Sequence, residues 1–286
     1  MRILLTGRDG QVGWELERAL AHLGDVIATD RAKLDLADPD AIRRVTRQSR
    51  PNVILNAAAF TAVDRAESEP ELAMRVNGEA PGLLAEEAKL TGALLVHYST
   101  DFVFDGQKRV PYSEDDPPNP LNVYGRTKLI GERAIQASGC RHLILRAAWV
   151  YGPRGRNFFL TIARRADAGD PLRVVDDQMG TPTTSAFLAE ATTTILSRRS
   201  DCEGVYHLAP TGATSWYGFA RAIVERIGAR VPVTPIRTTD YPTAAVRPAY
   251  SVLDARRAEA ELGLALPVWE ALLDRCASQY LRQARA

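Results

Sequence analysis

The chain has 286 residues, enough for about two domains of ordinary size or one large α/β domain with an appendage. Its 36 basic and 35 acidic side chains leave a formal charge of +1, which argues against nucleic acid or an anionic membrane as the main partner. A hydrophobic share of 45% with 25% charged residues excludes disorder as the main state. Cys140, Cys202 and Cys276 stand far apart with no CxxC pair, so neither a disulfide framework nor a metal site is expected. No apolar run approaches the ~18 residues of a membrane span. The apolar stretch after Met1 is too short for a signal peptide, so a cytoplasmic protein is expected.

In the first half, short apolar runs alternate with helical patterns, as in a parallel sheet covered on both faces. Strands are expected at Arg2–Thr6, Asp25–Thr29, Val53–Asn56, Ala93–Ser99 and His142–Ala147. Helices are expected at Val12–Leu23, at Asp38–Gln48 with Pro39 in its first turn, at Pro70–Leu90 before Gly92, and at Asn122–Ala137. Beyond about Tyr151, Gly and Pro punctuate the chain, and helices are expected at Thr184–Ser197, Ser215–Ile227 and Trp269–Gln283. Residues 1–150 read as a dinucleotide-binding domain to which a later stretch, around 172–200, returns. Residues 151–286 read mainly as a smaller, interleaved substrate-binding domain over the open sheet edge.

Between the first strand and helix lies Gly7-Arg8-Asp9-Gly10-Gln11-Val12-Gly13. Gly7 permits the tight turn, Gly10 lets the backbone approach a pyrophosphate, and Gly13 lets the helix pack against the strand. Free N–H groups at the helix start, with the helix dipole, would hold the anion. The fold class expected is therefore a Rossmann-like, doubly wound α/β sheet. The second strand ends at Asp30, whose carboxylate can accept from a ribose diol; Arg31 beside it could pair with the 2′-phosphate of NADP instead. The two residues point opposite ways, and both NADPH and NADH stay open. Small residues at Ala57, Ala58 and Ala59 would let a cofactor lie near the backbone.

The most specific feature is Tyr124-Gly125-Arg126-Thr127-Lys128, with Ser99-Thr100 at the end of an earlier strand. Positions i and i+4 share a helix face, so Tyr124 and Lys128 point the same way. A neighbouring ammonium is expected to favour the Tyr124 phenolate and bring its proton transfer towards neutral pH. Thr100 can hydrogen-bond the substrate oxygen at which that transfer occurs.

These segments, with NAAAFTAVDRAE at 56–67, HYSTDFVFDG at 97–106, RAAWVYG at 146–152, DQMGTPT at 177–183 and YPTAAVRPAYSVLD at 241–254, resemble the extended short-chain dehydrogenase/reductases. The closest likeness is to members acting on a nucleotide 4-keto sugar. The resemblance implies reduction of the 4-keto group of dTDP-4-dehydro-L-rhamnose to dTDP-L-rhamnose, with Tyr124 as proton donor, Lys128 on the nicotinamide ribose and Thr100 orienting the keto oxygen. It also implies that Gly7, Gly10, Gln11, Val12, Asp30, Asp35, Leu36, Ala57, Ala58 and Ala59 contact the cofactor. Val63, Asp101, Phe102 and Trp149 would contact the sugar, Phe102 standing where a tyrosine is more usual. Some members bridge a dimer with magnesium through acidic residues. Glu15 matches one ligand, but Ala186 stands where another is expected and only Glu190 is nearby, so no metal is expected. A monomer or homodimer is expected.

Alternatives remain within and beyond the family. A dehydratase needs an acid/base pair after the active-site Thr, and Phe102 cannot move a proton. A reductase of another nucleotide 4-keto-6-deoxysugar is open, because a few side chains decide which hydroxyls are accepted. A non-catalytic binding protein of the same fold, like the regulatory subunit of methionine adenosyltransferase, is the rival from another class. His97 reads as a hydrogen-bonded structural histidine; Arg43-Arg44, Arg164-Arg165 and Arg198-Arg199 read as solvated pairs, and Trp216-Tyr217 as core of the smaller domain.

Overall fold

In the computed structural model, which describes residues 1–198 and 203–284, apolar runs of four to seven residues form the strands of one central parallel sheet. Arg199 and Cys202 lie outside the described residues. The strands β1 (Arg2–Thr6), β2 (Asp25–Thr29), β3 (Val53–Asn56), β4 (Leu94–Thr100) and β5 (His142–Ala147) are joined at the far edge by a sixth, Gly204–His207. The spatial order is Gly204–His207, β5, β4, β3, β1, β2. Pairing is parallel throughout, so every crossover needs a helix and both faces are covered.

Side chains alternate between the faces. Ile3, Leu5, Val53, Leu55, Val96, Leu143 and Leu145 pack with Leu16 and Leu20 at α1 (Gln11–Ala19) and with a later helix. Ile54, Leu95 and Ile144 face α2 (Pro39–Ser49) and the longer helices that follow it. Each fully buried Leu or Ile contributes about 1.5–3 kcal/mol. The chain then forms α3 (Val63–Ser68), α4 (Pro70–Met74), α5 (Ala80–Thr91) and α6 (Val123–Ser138), the last capped by the Asn122 side chain, which accepts from Gly125 N at 2.8 Å.

Two helices depart from expectation. Helix α1 stops at Ala19 rather than Leu23, because the chain turns through Leu20–Gly24 to deliver Asp25 to β2. The long helix expected at Pro70–Leu90 is interrupted by a π-type turn at Arg75–Glu79. Pro81 has no N–H, so the carbonyl of Asn77 loses its helical donor, and the backbone widens there.

Later come α7 (Phe158–Asp167), α8 (Ser185–Ser197), α9 (Trp216–Ile227), α10 (Arg256–Leu262) and α11 (Trp269–Ala284). Helix α8 returns to the sheet, setting Phe187, Leu188 and Ile195 against the α1 face. A second apolar cluster gathers Phe159, Ile162, Phe219, Ile223, Trp269 and Leu273 from α7, α9 and α11 around Tyr151. Short pairs of strands hold this part together: Leu172–Val175 with Val233–Ile236, Met179–Gly180 with Thr214–Ser215, and Val150–Tyr151 with Thr183–Thr184. Among the described residues no helix is long and apolar enough to cross a membrane.

Candidate active site

The carboxyl ends of four strands lie side by side. Thr6 is in register with Asn56, Asn56 with His97, and Thr100 with Ala147. The chain reverses its direction of travel across the sheet between β1 and β3, and open α/β sheets bind ligands in the crevice at such a point.

The glycine turn sits at this crevice. Gly7 has φ +73°, and a Cβ there would lie 2.9 Å from the Ala58 backbone; a Cβ on Gly13 would lie 2.0 Å from Gly7 O. Gly10 precedes α1, and a Cβ there would meet only Gly7 O at 3.2 Å, so its free side faces open space. The first N–H groups of α1 have no side-chain cap. Gln11 Oε1 accepts from Asn157 Nδ2 at 2.7 Å, and Asn157 also binds Gly152 O and caps α7, so the 152–157 loop is tied to the turn. Ala58 N donates to Thr6 Oγ1 at 3.3 Å.

The Tyr124 cluster is as close-knit. Thr100 Oγ1 accepts from Phe102 N at 3.1 Å and donates to Asp101 Oδ1 at 3.0 Å, and its hydroxyl is near enough to the Tyr124 phenol to lower that phenol's pKa. The Phe102 ring meets Tyr124 edge to face at 5.9 Å. Helix α6 comes this close because residue 125 is glycine: a Cβ there would lie 2.2 Å from Phe102 O. Burial pushes the Tyr124 phenol up to about 12, with the Thr100 hydroxyl opposing and the Asp101 charge reinforcing the rise. This is a correction, since the lysine was expected to lower it. Burial lowers Lys128 to about 8, opposed by the charge of Glu132 one turn further along. Lys128 Nζ donates to the Tyr98 carbonyl at 2.6 Å and lies 3.0 Å from His97 Nε2. Burial raises Asp101 to about 6, tempered by the Ser251 and Thr100 hydroxyls. Ser99 Oγ is buried with no hydrogen-bond partner, a polar atom left free for a ligand.

Other expected residues stand further out. Asp30 follows the last residue of β2, and its carboxylate accepts from Lys33 N at 2.9 Å. Arg31 is exposed and paired with Asp35 at 3.3 Å, while the Leu36 side chain is spent in the core beside Ile42. Val63 opens α3 next to Asp64, whose carboxylate accepts from Ala245 N and from Arg247 at 2.7 Å. Trp149 lies just past β5 with φ +47°, its indole stacked on Trp216 at 3.5 Å. A backbone in that region is costly for a large side chain and persists only where packing enforces it.

A family model described as RmlD substrate binding domain matches residues 1–282. The chain belongs to this family. The RmlD-family relatives include a dTDP-4-dehydrorhamnose reductase of Burkholderia thailandensis, 43% identical over 99% of this chain and 100% of that one. Another, from Escherichia coli K12, is 43% identical over 94% and 95% of the two chains. The solved structure of the Bacillus anthracis dTDP-4-dehydrorhamnose reductase in complex with NADP superposes with a TM-score of 0.94 at 34% identity, covering 97% of this chain and 99% of that one.

Several residues that shape this RmlD-family site carry no recognised motif. Asn77, inside the π-type turn, accepts from Phe60 N and donates to Phe60 O and Thr127 Oγ1, which pins the loop after β3 to α6. Its signal was a polar residue in an otherwise apolar helical stripe. Gly125 and Asn157 could be read only once their neighbours were known. The magnesium bridge does not fit here: Glu190 is held by both prongs of Arg275, with Nη1 at 3.1 Å, and Ala186 offers no donor. A cavity of about 440 Å³ between Pro153, the start of α8 and α11 contains none of the expected site residues.

Proposed function

We propose that this chain reduces the 4-keto group of dTDP-4-dehydro-L-rhamnose to give dTDP-L-rhamnose, using NADPH or NADH. The observation that carries the reading is the convergence of Thr100 and Tyr124 at the end of β4, where α6 packs on the Phe102 turn, one helical turn from the buried Lys128 and across β3 from the glycine turn. Whole-length likeness to reductases of that name supports it.

The residues fit a dinucleotide. A Cβ at Gly7 or Gly13 would collide with backbone, Gly10 faces open space beside uncapped N–H groups, and Ala57, Ala58 and Ala59 keep the strand end low. These groups, with Gln11 and Val12, would hold the pyrophosphate, and Asp30, Arg31 and Asp35 the adenosine ribose. When bound, the reduced nicotinamide supplies the hydride that reaches the keto carbon. Tyr124 gives its phenolic proton to the keto oxygen, so that C=O gains one hydride and one proton and becomes CH–OH. A phenol held above its ordinary value is protonated at neutral pH and serves as the acid in this direction. Thr100, its oxygen fixed by Phe102 N–H, orients the keto oxygen. Lys128 binds the cofactor ribose and stabilises the phenolate left behind. Val63, Asp101, Phe102 and Trp149 line the sugar side.

On this reading the sheet with α1–α6, α8 and the strand Gly204–His207 is the dinucleotide-binding part, and α7, α9 and α11 with their short strands carry the substrate-binding part. A cytoplasmic setting, where reduced nicotinamide is at hand, and a monomer or homodimer without nucleic-acid or membrane partners complete it. The test is loss of NADPH or NADH absorbance with the keto sugar nucleotide, followed by NMR of the product. Formation of dTDP-L-rhamnose is expected; an unreduced substrate would overturn the reading.

A further inference from the structure

Lys128 is enclosed in the protein, 2% exposed. A buried lysine ordinarily sits against a carboxylate. Here the nearest carboxylate on its own helix, Glu132, is spent on Arg146 in a two-pronged pair of 2.6 and 2.9 Å. The group in contact with Nζ is instead an imidazole: His97 Nε2 at 3.0 Å, with the Tyr98 carbonyl at 2.6 Å. The other ring nitrogen of His97 lies 3.0 Å from the Asn56 amide nitrogen, and Asn56 Oδ1 accepts from Thr6 Oγ1 at 2.8 Å. Thr6, Asn56 and His97 are each 1% exposed and Lys128 2%. The chain therefore crosses β1, β3 and β4 to α6 without meeting water.

A neutral imidazole has one donor and one acceptor nitrogen. With the Asn56 amide nitrogen donating to Nδ1, the ring proton sits on Nε2 and faces a free amine. With the amide turned over, Oδ1 accepts from Nδ1–H, and the bare Nε2 accepts from an ammonium. The Thr6 hydroxyl can donate or accept, so it serves either orientation. We propose that His97 is a positioning residue for Lys128, clamping its nitrogen against the Tyr98 carbonyl and switching tautomer as Lys128 gains or loses its proton. The inference deepens the reductase reading and rests on it.

The groups around the pair leave this task to His97. The charged group that acts on Lys128 is Glu132, from its own helix, and Lys128 is the charge that acts on His97; Arg146 on β5 reaches Glu132, with His207 beyond. Glu132 and Arg146 satisfy each other. Asp101 is hydrogen-bonded to Thr100 on the Tyr124 side. His97 itself does not take up charge, because burial and the lysine drive its pKa well below the ordinary value. Two of the three ammonium hydrogens are thus engaged, and one remains for a ligand.

The first measurement needs no substrate. Ring nitrogen-15 spectra of the four histidines, with His22, His142 and His207 replaced in turn to identify His97, are followed against pH. The Nδ1 and Nε2 shifts of His97 should move between the two neutral tautomers with a midpoint near the lysine's, about 8. A ring that keeps one tautomer from about pH 6 to 10 would overturn the proposal. The second is the pH profile of kcat. His97→Leu removes the acceptor and favours the free amine, so the alkaline limb should move down by about half a pH unit, roughly threefold in turnover on that limb. His97→Gln can donate or accept and should restore it. A wild-type limb in His97→Leu, or a Gln variant as impaired as the Leu variant with an equal melting temperature, would overturn it. An inactive wild-type enzyme would count against the reductase reading, while the spectra would still decide the role of His97.

Discussion

Glu132 and Arg146 form an ion pair inside the protein, their side chains 1% and 4% exposed, one helical turn beyond Lys128. The pair holds α6, which bears Tyr124 and Lys128, against β5. Glu132→Gln keeps the shape and leaves the Arg146 charge without its partner, so urea unfolding should show a loss of about 3–5 kcal/mol. An unchanged midpoint would show that the pair contributes nothing to stability.

Tyr124→Phe keeps the ring that meets Phe102 and removes the proton donor. Turnover of the keto sugar should fall by at least ~100-fold with melting temperature little changed. Near-normal turnover would remove Tyr124 from the mechanism.

Gly125→Ala puts a methyl group where Phe102 O stands only 2.2 Å away. Either α6 or the 101–103 turn must shift, which should cost about 1–3 kcal/mol and separate Tyr124 from Thr100. A crystal structure of the variant with Tyr124 and Thr100 in unchanged positions would contradict this.

Asp30→Ala removes the acceptor expected for the ribose diol, so NADH binding should weaken more than NADPH binding. Arg31→Ala should do the reverse, through loss of the cation beside a 2′-phosphate. Equal losses for both cofactors in calorimetric titrations would refute the assignment.

Acid should weaken the fold through His207. Burial, with the neighbouring Arg146 charge, depresses its pKa from 6.5 to about 3. Between those values the unfolded chain binds a proton that the folded chain refuses. Stability is therefore full above about 6.5 and is lost as pH falls towards 3. His97 acts in the same direction. Urea midpoints that stay level from about pH 7 to 4 would contradict it.

The strands β1, β2, β3 and β5 occupy the residues expected of them, because a continuous apolar run between turns is local information. The glycine turn was legible for the same reason, as was the i, i+4 placement of Tyr124 and Lys128. The strand Gly204–His207 was not: four residues without a motif become a sheet edge only because β5 offers unpaired groups. Helix α7 opens with an apolar Phe158–Phe159–Leu160 run after Asn157, a cap signal the Gly and Pro residues around it obscured.

Sequence alone singled out the candidate residues and the short segments that bear them, since periodicity, caps and turn residues act over a few positions. Folding decided their company: the phenol's rise rather than fall, the glutamate taken by an arginine, and a lysine left against an imidazole 31 residues away. Burial and pairing across strands set those outcomes, and neither is written in any one stretch of chain.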